Sequence, residues 1–242
     1  MRSTSHRPRK RFGQHFLHDP RVLAHLVEAL SLSSDDVVVE IGPGEGALTY
    51  RLLDKVGRLE VIEIDRDLAA RLDKVKVHQA DALEFDYSVF PKGVRVIGNL
   101  PYNISTPLLF HLARYADRVR DMHFMLQLEV VERMVAKPST PEYGRLSVAL
   151  QARFAMKKLF NVGSGAFRPP PKVDSAVVRL EPLSEILQIN EELLRRAFSA
   201  RRKTLKNALP GVDFAAAGID PTLRPENLSP ADYARLSMNS IL

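Results

Sequence analysis

Residues 37–46, VVVEIGPGEG, place a run of apolar residues directly before three closely spaced glycines. Such a run, rich in β-branched valine, is typical of a buried strand, because branched side chains pack well on a pleated surface. Gly42, Gly44 and Gly46 then indicate a tight turn, since glycine permits left-handed backbone conformations and lets a ligand approach the main chain. A helical pattern follows at 47–56. The segment therefore predicts a strand, glycine turn and helix of the kind that forms a nucleotide-binding crevice in an open α/β sheet.

The same alternation of short apolar runs and amphipathic stretches continues along the chain. Further strands are predicted at 60–64, 75–78, 94–97, 123–126 and 173–180, and further helices at 66–73, 105–116 and 128–137. Strands and helices that alternate at this spacing favour a mostly parallel sheet covered on both faces. After residue 182 only helical periodicity is found. We therefore predict an α/β domain over 1–181, with a basic N-terminal arm, and a small all-helical domain over 182–242.

The composition excludes several kinds of site and of protein. The 242 residues contain no cysteine, which excludes disulfides, thiolate metal sites and cysteine nucleophiles. No apolar run approaches the roughly 18 residues that a membrane span needs, and the N-terminus lacks the apolar segment of a secretory signal. No histidines have a metal-ligand spacing such as H-E-x-x-H, so we infer no metal. We expect a cytoplasmic chain without a membrane partner.

Two carboxylates lie at the carboxyl ends of the next two predicted strands. Glu63 lies 21 residues after Gly42, where a carboxylate can accept hydrogen bonds from both hydroxyls of a ribose. Asp81 follows the third strand, where it can meet an adenine amine. Each signal alone is weak, because an acid at a strand end is often a solvated charge or a helix cap. In this order, and with G-x-G-x-G spacing instead of G-x-G-x-x-G, they favour an adenosine cofactor bound without a phosphate clamp, meaning S-adenosylmethionine.

The sequence Asn99-Leu100-Pro101-Tyr102 follows the fourth predicted strand. It suits methylation of a planar exocyclic amine, whose lone pair is delocalised into the base. The Asn99 side-chain oxygen and the Leu100 carbonyl would accept the two N–H bonds of the amine, while Pro101 fixes the turn. Tyr102 would stack the extruded base, which is worth about 1–3 kcal/mol. Positioning would then provide most of the catalysis. The alternative is an ordinary loop, because Asn and Pro are turn formers.

Basic residues are concentrated in two segments. The chain has 35 Lys and Arg against 29 Asp and Glu, a formal net charge of +6, which suggests a polyanionic partner. Residues 1–21 carry six of these basic residues against the single acid Asp19. The second segment, 192–209, is predicted to form one helix. At about 100° per residue its basic residues fall within an arc of roughly 120°.

This predicted helix has a basic face and an apolar face. The basic face contains Arg195, Arg196, Arg202, Lys203 and Lys206, and the apolar face contains Leu194, Ala197, Phe198, Leu205 and Ala208. Arg201 falls on the apolar side, where we expect it to pair or to extend to solvent. A merely solvated face is the alternative, but two basic segments beside a base-methylating motif favour structured RNA. We assign the RNA contacts to Arg9, Lys10, Arg11, Arg195, Arg202, Lys203 and Lys206.

Several stretches, spread along nearly the whole chain, resemble the ribosomal RNA adenine dimethyltransferases, and in particular the bacterial enzymes that act on small-subunit RNA. The matching stretches are 9–17 (RKRFGQHFL), 40–49 (EIGPGEGALT), 63–72 (EIDRDLAARL), 98–112 (GNLPYNISTPLLFHL), 121–134 (DMHFMLQLEVVERM), 143–148 (YGRLSV), 167–180 (FRPPPKVDSAVVRL) and 201–209 (RRKTLKNAL). The resemblance implies a Rossmann-like, S-adenosylmethionine-dependent methyltransferase sheet. It also implies a role in ribosome biogenesis, with four methyl groups transferred, two to each of two adjacent adenosines in a hairpin near the RNA 3′ end. The implied partner is small-subunit ribosomal RNA or an immature small subunit, and we expect a monomer.

The resemblance also assigns roles to individual residues. Cofactor contacts fall on His15, Leu17, Gly42, Glu63, Asp81 and Asn99, and to these we add Gly44 of the glycine turn. The catalytic set is Asn99, Leu100, Pro101, Tyr102 and Phe167. By the same resemblance, Phe167 would stack the target base from the side opposite Tyr102. A core aromatic is the alternative, although Phe-x-Pro-Pro-Pro in a loop is poorly suited to core packing. His15 stands where many relatives carry Asn.

Two other functions share part of these features. A large-subunit RNA adenine methyltransferase of the antibiotic-resistance type would share the glycine turn and the motif at 99–102. The F-x-P-P-P-K-V-D-S run at 167–175 and the 201–209 segment favour the small-subunit enzyme. A non-catalytic ribosome-assembly factor could keep the fold, but a pure RNA binder has no need of an intact 99–102 motif.

Overall fold

The glycine turn lies near the middle of a seven-stranded sheet in this computed structural model, which describes residues 14–239. The strands are β2 (Val37–Ile41), β3 (Arg58–Ile62), β4 (Lys76–His78), β5 (Val94–Asn99), β6 (Val119–Gln127), β7 (Phe154–Val162) and β9 (Ser175–Pro182), in the spatial order β4-β3-β2-β5-β6-β9-β7. The first five strands of this order pair in parallel, and β9 runs antiparallel to β6. The predicted α/β class with a mostly parallel sheet is therefore confirmed.

Burial explains why these stretches form strands. Val38, Val39 and Val96 on the central strands are fully buried, as expected for a parallel sheet with both faces covered. The helices are α1 (Pro20–Ala29), α2 (Thr49–Leu52), α3 (Arg66–Ala69), α4 (Ser105–Ala113), α5 (Leu128–Val135), α6 (Arg145–Gln151), α7 (Glu191–Ser199), α8 (Leu205–Ala208) and α9 (Pro230–Met238). None of the helices between residues 14 and 239 is long and apolar enough to cross a membrane.

A separate two-stranded ribbon holds the beginning of the described chain. It pairs β1 (Phe16–Leu17) with β8 (Phe167–Arg168) in antiparallel fashion. Helix α1 begins directly afterwards, where the Asp19 carboxylate accepts hydrogen bonds from the first backbone N–H groups and Pro20 occupies the first turn. This pairing holds residues 16 and 17 beside the 167–168 segment.

The described chain divides into two compact units. The first comprises residues 14–131 and 157–181, and the second comprises 132–156 and 182–239. The sequence-based division at 182 placed 132–156 with the sheet. In the structure these residues belong to the second unit, because Tyr143 is buried in one apolar cluster with residues of the C-terminal helices. The Tyr143 hydroxyl also donates a hydrogen bond to the Leu228 carbonyl at 2.9 Å.

The prediction of one helix over 192–209 is wrong. Helix α7 ends at Ser199 and α8 begins at Leu205. The first N–H groups of α8 donate to carbonyls outside any helix, from Leu205 to Leu223 and from Lys206 to Pro221. These bonds tie the start of α8 to the 221–223 segment, so that it does not continue α7. Helices α1 and α6 and strand β7 were not predicted.

Candidate active site

A cavity in the first unit lies at the carboxyl ends of β2, β3 and β5, where an open α/β sheet binds ligands. This cavity is lined by ten of the residues that the sequence analysis singled out. They are His15, Leu17, Gly42, Gly44, Glu63, Asp81, Asn99, Leu100, Pro101 and Tyr102. The structure thus brings together the glycine turn, both strand-end carboxylates and the 99–102 motif.

The glycine turn has the backbone conformation that only glycine adopts without strain. Gly42 and Gly44 have φ values of +66° and +58°. A Cβ atom on Gly44 would lie 2.9 Å from the Phe16 ring, which is closer than carbon atoms pack. Glycine at this position therefore allows strand β1 to lie directly against the turn.

The two strand-end carboxylates accept backbone hydrogen bonds. Glu63 accepts from the Gly44 N–H at 3.2 Å and from the Asp65 N–H at 2.9 Å. Burial raises the pKa of Glu63, although these two donors act in the opposite direction. Asp81 accepts from the Leu83 N–H at 2.9 Å. Both side chains are thereby held in fixed positions at the cavity wall.

Glu40 is a further carboxyl group of the cavity that sequence reasoning treated only as part of a strand. It is 2% exposed, and its Oε2 atom accepts a hydrogen bond from the Thr49 hydroxyl at 2.6 Å. Burial, and the nearby carboxyl of Glu63, raise the pKa of Glu40 to about 7. Within residues 14–239, neither Glu40 nor Glu63 forms an ion pair with a Lys, Arg or His. A charged residue inside an otherwise apolar run is the sequence signal that could have identified this group.

These acidic groups fit a ligand that carries both hydroxyl groups and positive charge. Buried carboxylates are unfavourable unless hydrogen-bond donors or cations meet them. The glycine turn leaves room for such a ligand beside the main chain. A cationic adenosine cofactor of the predicted type has these properties. No group of three or more His, Asp or Glu in the described chain is arranged to hold a metal ion.

The Asn99 amide is oriented by the strap formed by residues 14–17. Its Nδ2 atom donates a hydrogen bond to the His15 carbonyl at 2.9 Å. Because Nδ2 is engaged as a donor, Oδ1 is the acceptor that the amide offers. The following turn is closed by the Ser105 hydroxyl, which donates to the Pro101 carbonyl at 2.9 Å.

The Tyr102 ring is contacted on its face and at its hydroxyl. The His15 imidazole stacks on the ring with centroids 5.4 Å apart and an interplanar angle of 27°. The Tyr102 hydroxyl lies 2.6 Å from the Ser175 hydroxyl. His15 Nδ1 lies 2.7 Å from the Pro169 carbonyl oxygen. Sequence reasoning missed both the stacking role of His15 and the contact from Ser175.

The structure places the Phe167 side chain in the apolar core and not at the cavity wall. Phe167 is 1% exposed and packs in the apolar core that contains Leu17. The reason is the pairing of β8 with β1, which places Phe167 opposite the buried Leu17 and leaves the next residue, Arg168, exposed. Phe167 is not among the described residues that line the cavity, so its stacking on a target base stays a prediction.

The basic residues predicted to contact RNA are distributed differently. Arg9, Lys10 and Arg11 lie outside the described residues. The other four predicted RNA contacts are exposed and belong to the second unit. They are Arg195, Arg202, Lys203 and Lys206. Arg195 pairs with Glu192 at 2.6 Å, whereas the other three have no acidic partner among residues 14–239. Arg201 pairs with Glu226 at 2.6 Å, as expected from its position on the apolar side.

Known proteins similar to this chain share its sequence along nearly the whole length. The model of a family described as ribosomal RNA adenine dimethylase matches residues 5–239. Ribosomal RNA small subunit methyltransferase A of Chromobacterium violaceum is 54% identical, over 97% of this chain and 96% of that protein. The protein of the same name from Aromatoleum aromaticum is 53% identical, over 97% and 94%.

Solved structures of two methyltransferases are similar to this one over most of its length. A dimethyladenosine transferase from Plasmodium falciparum has a TM-score of 0.79 and 29% identity, and covers 92% of this chain and 96% of that chain. The 23S rRNA methyltransferase ErmE has a TM-score of 0.69 and 27% identity, and covers 93% and 98%. The Rossmann-like methyltransferase fold expected from the sequence is confirmed.

Proposed function

The chain belongs to the ribosomal RNA adenine dimethylase family, and from this premise we propose that it transfers methyl groups from S-adenosylmethionine to the exocyclic amines of two adjacent adenosines in a 3′-terminal hairpin of small-subunit ribosomal RNA. The products are dimethyladenosines, and the reaction belongs to ribosome biogenesis. The orientation of the Asn99 amide beside an acidic cavity is the observation that carries this proposal.

The acidic residues of the cavity would hold the cofactor. S-adenosylmethionine supplies an electrophilic methyl group on a sulfonium when bound. Glu63 would accept hydrogen bonds from the ribose hydroxyls and Asp81 from the adenine amine. Glu40 adds a buried carboxyl group that favours positive charge. Leu17 and the His15 main chain complete the wall on the side of β1.

The 99–102 motif would orient the adenine amine. Asn99 Oδ1 and the Leu100 carbonyl accept its N–H bonds and aim the nitrogen lone pair at the methyl carbon. The bound cofactor would supply the methyl group, the amine nitrogen would exchange one N–H bond for a bond to that carbon, and the displaced proton would pass to solvent. Catalysis in this arrangement is chiefly positioning, and none of the described residues that line the cavity is a lysine or an arginine.

The choice of small-subunit over large-subunit RNA rests on the relatives. Relatives that are 54% and 53% identical carry the name small subunit methyltransferase A. The 23S enzyme shares the fold at 27% identity. The higher identity over the full length favours the small-subunit substrate, and with it the immature small subunit as partner.

The test is to incubate undermethylated small subunits with labelled S-adenosylmethionine and to map the modified bases. We expect label on two adjacent adenosines near the 3′ end of the small-subunit RNA, and none with Asn99→Ala. Label on large-subunit RNA would instead indicate the antibiotic-resistance type of enzyme. Tight binding to small subunits without any label would indicate an assembly factor that does not methylate.

A further inference from the structure

Ser175 is a buried hydroxyl that the proposed reaction does not yet use. It is 0% exposed and begins strand β9, where Ala176, Val177 and Val178 are equally buried. An alanine would fill such a position without a polar atom to satisfy, and a buried hydroxyl is unfavourable unless it is hydrogen-bonded. The sole hydrogen-bond partner of Ser175 Oγ within residues 14–239 is the Tyr102 hydroxyl, at 2.6 Å.

Tyr102 needs such a contact because regular secondary structure does not hold it. The residue lies in the turn between β5 and α4. A tyrosine ring is attached at one end only, so more than one rotamer is open to it until a second point is fixed. The Ser175 hydroxyl supplies that point and sets the ring axis. The stacked His15 ring, 5.4 Å away, then limits rotation about this axis.

Strand β9 is well suited to provide this fixed point. Ser175 pairs in register with Gln127 of β6, and the neighbouring Asp174 carbonyl accepts a hydrogen bond from the Leu128 N–H at 2.9 Å. The Asp174 carboxylate accepts another from the Ser164 N–H at 3.1 Å. The serine is therefore anchored by the sheet on one side and by a capped turn on the other.

We propose that Ser175 is a positioning residue, which holds the Tyr102 ring at the angle required to stack the target adenine. This inference rests on the proposed function, because the ring must receive a base. It also explains why the lysine-valine-aspartate-serine stretch at 172–175 ends in a polar residue just where a buried strand begins.

The main test compares Ser175→Ala, Tyr102→Phe and the double variant. Each single change removes the same hydrogen bond, so we expect each to lower kcat on small subunits by about 10-fold, since misplacement of a reacting group lowers rate. The double variant should be no slower than the slower single variant. The Kd for S-adenosylmethionine, and that for RNA, should change less than about 2-fold, because phosphate contacts dominate RNA affinity. Independent, multiplying losses in the double variant, or an unchanged kcat in Ser175→Ala, would refute the role.

Ser147→Ala is the matched control for a loss of structure. Ser147 is also 0% exposed, and its hydroxyl donates to the Arg133 carbonyl at 2.5 Å within the second unit. We expect this variant to lower the thermal midpoint without lowering kcat. Ser175→Thr, which keeps a hydroxyl, should regain most of the rate lost in Ser175→Ala. If Ser147→Ala slows the enzyme equally, or threonine gives no rescue despite a folded protein, Ser175 is only structural.

A spectroscopic measurement separates this inference from the proposed function. In protein labelled with 3-fluorotyrosine, the Tyr102 signal is identified by its loss in Tyr102→Phe. We expect Ser175→Ala to shift this fluorine resonance, and Ser147→Ala to leave it in place. An unmoved signal refutes the contact even if the enzyme is active. Failure of the wild type to label any ribosomal RNA would refute the proposed function, while a shifted signal would still support the positioning of the ring.

Discussion

Glu40 is a carboxyl group whose charge changes with pH around neutrality. Burial raises its pKa to about 7, so the carboxyl of the free protein is largely neutral at pH 6 and largely ionised at pH 8. A cationic cofactor favours the ionised form. We therefore expect the affinity for S-adenosylmethionine to rise by about 10-fold between pH 6 and pH 8, measured by isothermal titration calorimetry.

Two variants test whether Glu40 causes this dependence. Glu40→Gln keeps the shape and an acceptor for Thr49 but has no charge to gain, so its affinity should be weaker at pH 8 and nearly independent of pH. Glu45→Gln is the control, because Glu45 lines the same cavity but is exposed. A pH dependence that persists in Glu40→Gln would assign the titration to another group.

Gly44 is required for two reasons that can be separated by experiment. Its φ of +58° is strained for other residues, and a Cβ atom would meet the Phe16 ring at 2.9 Å. Gly93 has a φ of +84°, but an added Cβ would meet nothing within 4 Å. Gly93→Ala should therefore cost only the backbone strain, about 1–2 kcal/mol of unfolding free energy.

Gly44→Ala should cost more, by about a further 1–3 kcal/mol, because the methyl group is also overpacked against Phe16. It should in addition weaken cofactor binding, which Gly93→Ala should not. Urea denaturation and calorimetric titration of both variants measure the two effects. Equal losses of unfolding free energy in Gly44→Ala and Gly93→Ala would mean that β1 moves away from the turn and that the added methyl group is not overpacked against Phe16.

The helices and strands that the sequence predicts are the ones with a periodic pattern and a buried face. Strands β2 and β5 were predicted because their short runs are rich in valine and isoleucine, which favour strands. Strand β7 was missed because it lies at the sheet edge and carries Lys157 and Lys158, which edge strands tolerate. The break between α7 and α8 has no local signal, since it depends on hydrogen bonds to the 221–223 segment.

The residues of the site that could be predicted from the sequence are those at strand ends. Glu63 and Asp81 follow strands and Asn99 ends one, and the carboxyl ends of neighbouring parallel strands must lie at one edge of the sheet. The contact between Tyr102 and Ser175 joins residues 73 positions apart in the chain. No spacing or periodicity encodes such a contact, and it becomes visible only when β9 is placed beside β6.

Exposed basic residues lie around the break between α7 and α8. Arg202 and Lys203 are exposed and have no acidic partner in the described part of the chain. We expect the double variant Arg202→Glu/Lys203→Glu to weaken binding of small-subunit RNA and to lower the slope of log Kd against log salt concentration by about 1–2. Affinity for S-adenosylmethionine should not change.

Lys55→Glu/Arg114→Glu is the matched control for this charge reversal. It changes the net charge equally at two exposed positions of the first unit. We expect a much smaller effect on RNA affinity, measured by filter binding across a salt series. Equal weakening by both double variants would mean that the RNA responds to the net charge of the protein and not to this surface.

The stability of the molecule as a whole should depend on a buried histidine. His123 on β6 is 2% exposed, and neither ring nitrogen has a hydrogen-bond partner within residues 14–239. Burial lowers its pKa to about 4, the nearby arginines Arg95 and Arg179 act in the same direction, and Asp121 opposes them. The folded protein therefore keeps the ring neutral at a pH where the unfolded chain is already protonated.

The sign of the pH effect follows from this difference. Between pH 6.5 and pH 4 the unfolded state binds the proton and the folded state does not, so acidification lowers the unfolding free energy, by about 3 kcal/mol in total at roughly 1.4 kcal/mol per pH unit. His123→Leu removes the group from both states. The difference in unfolding free energy between wild type and His123→Leu should therefore shift in favour of the variant as the pH falls through this window, as measured by urea denaturation at pH 7, 6, 5 and 4.5. A difference that stays constant with pH would show that the ring is already charged, or already solvated, in the folded sheet.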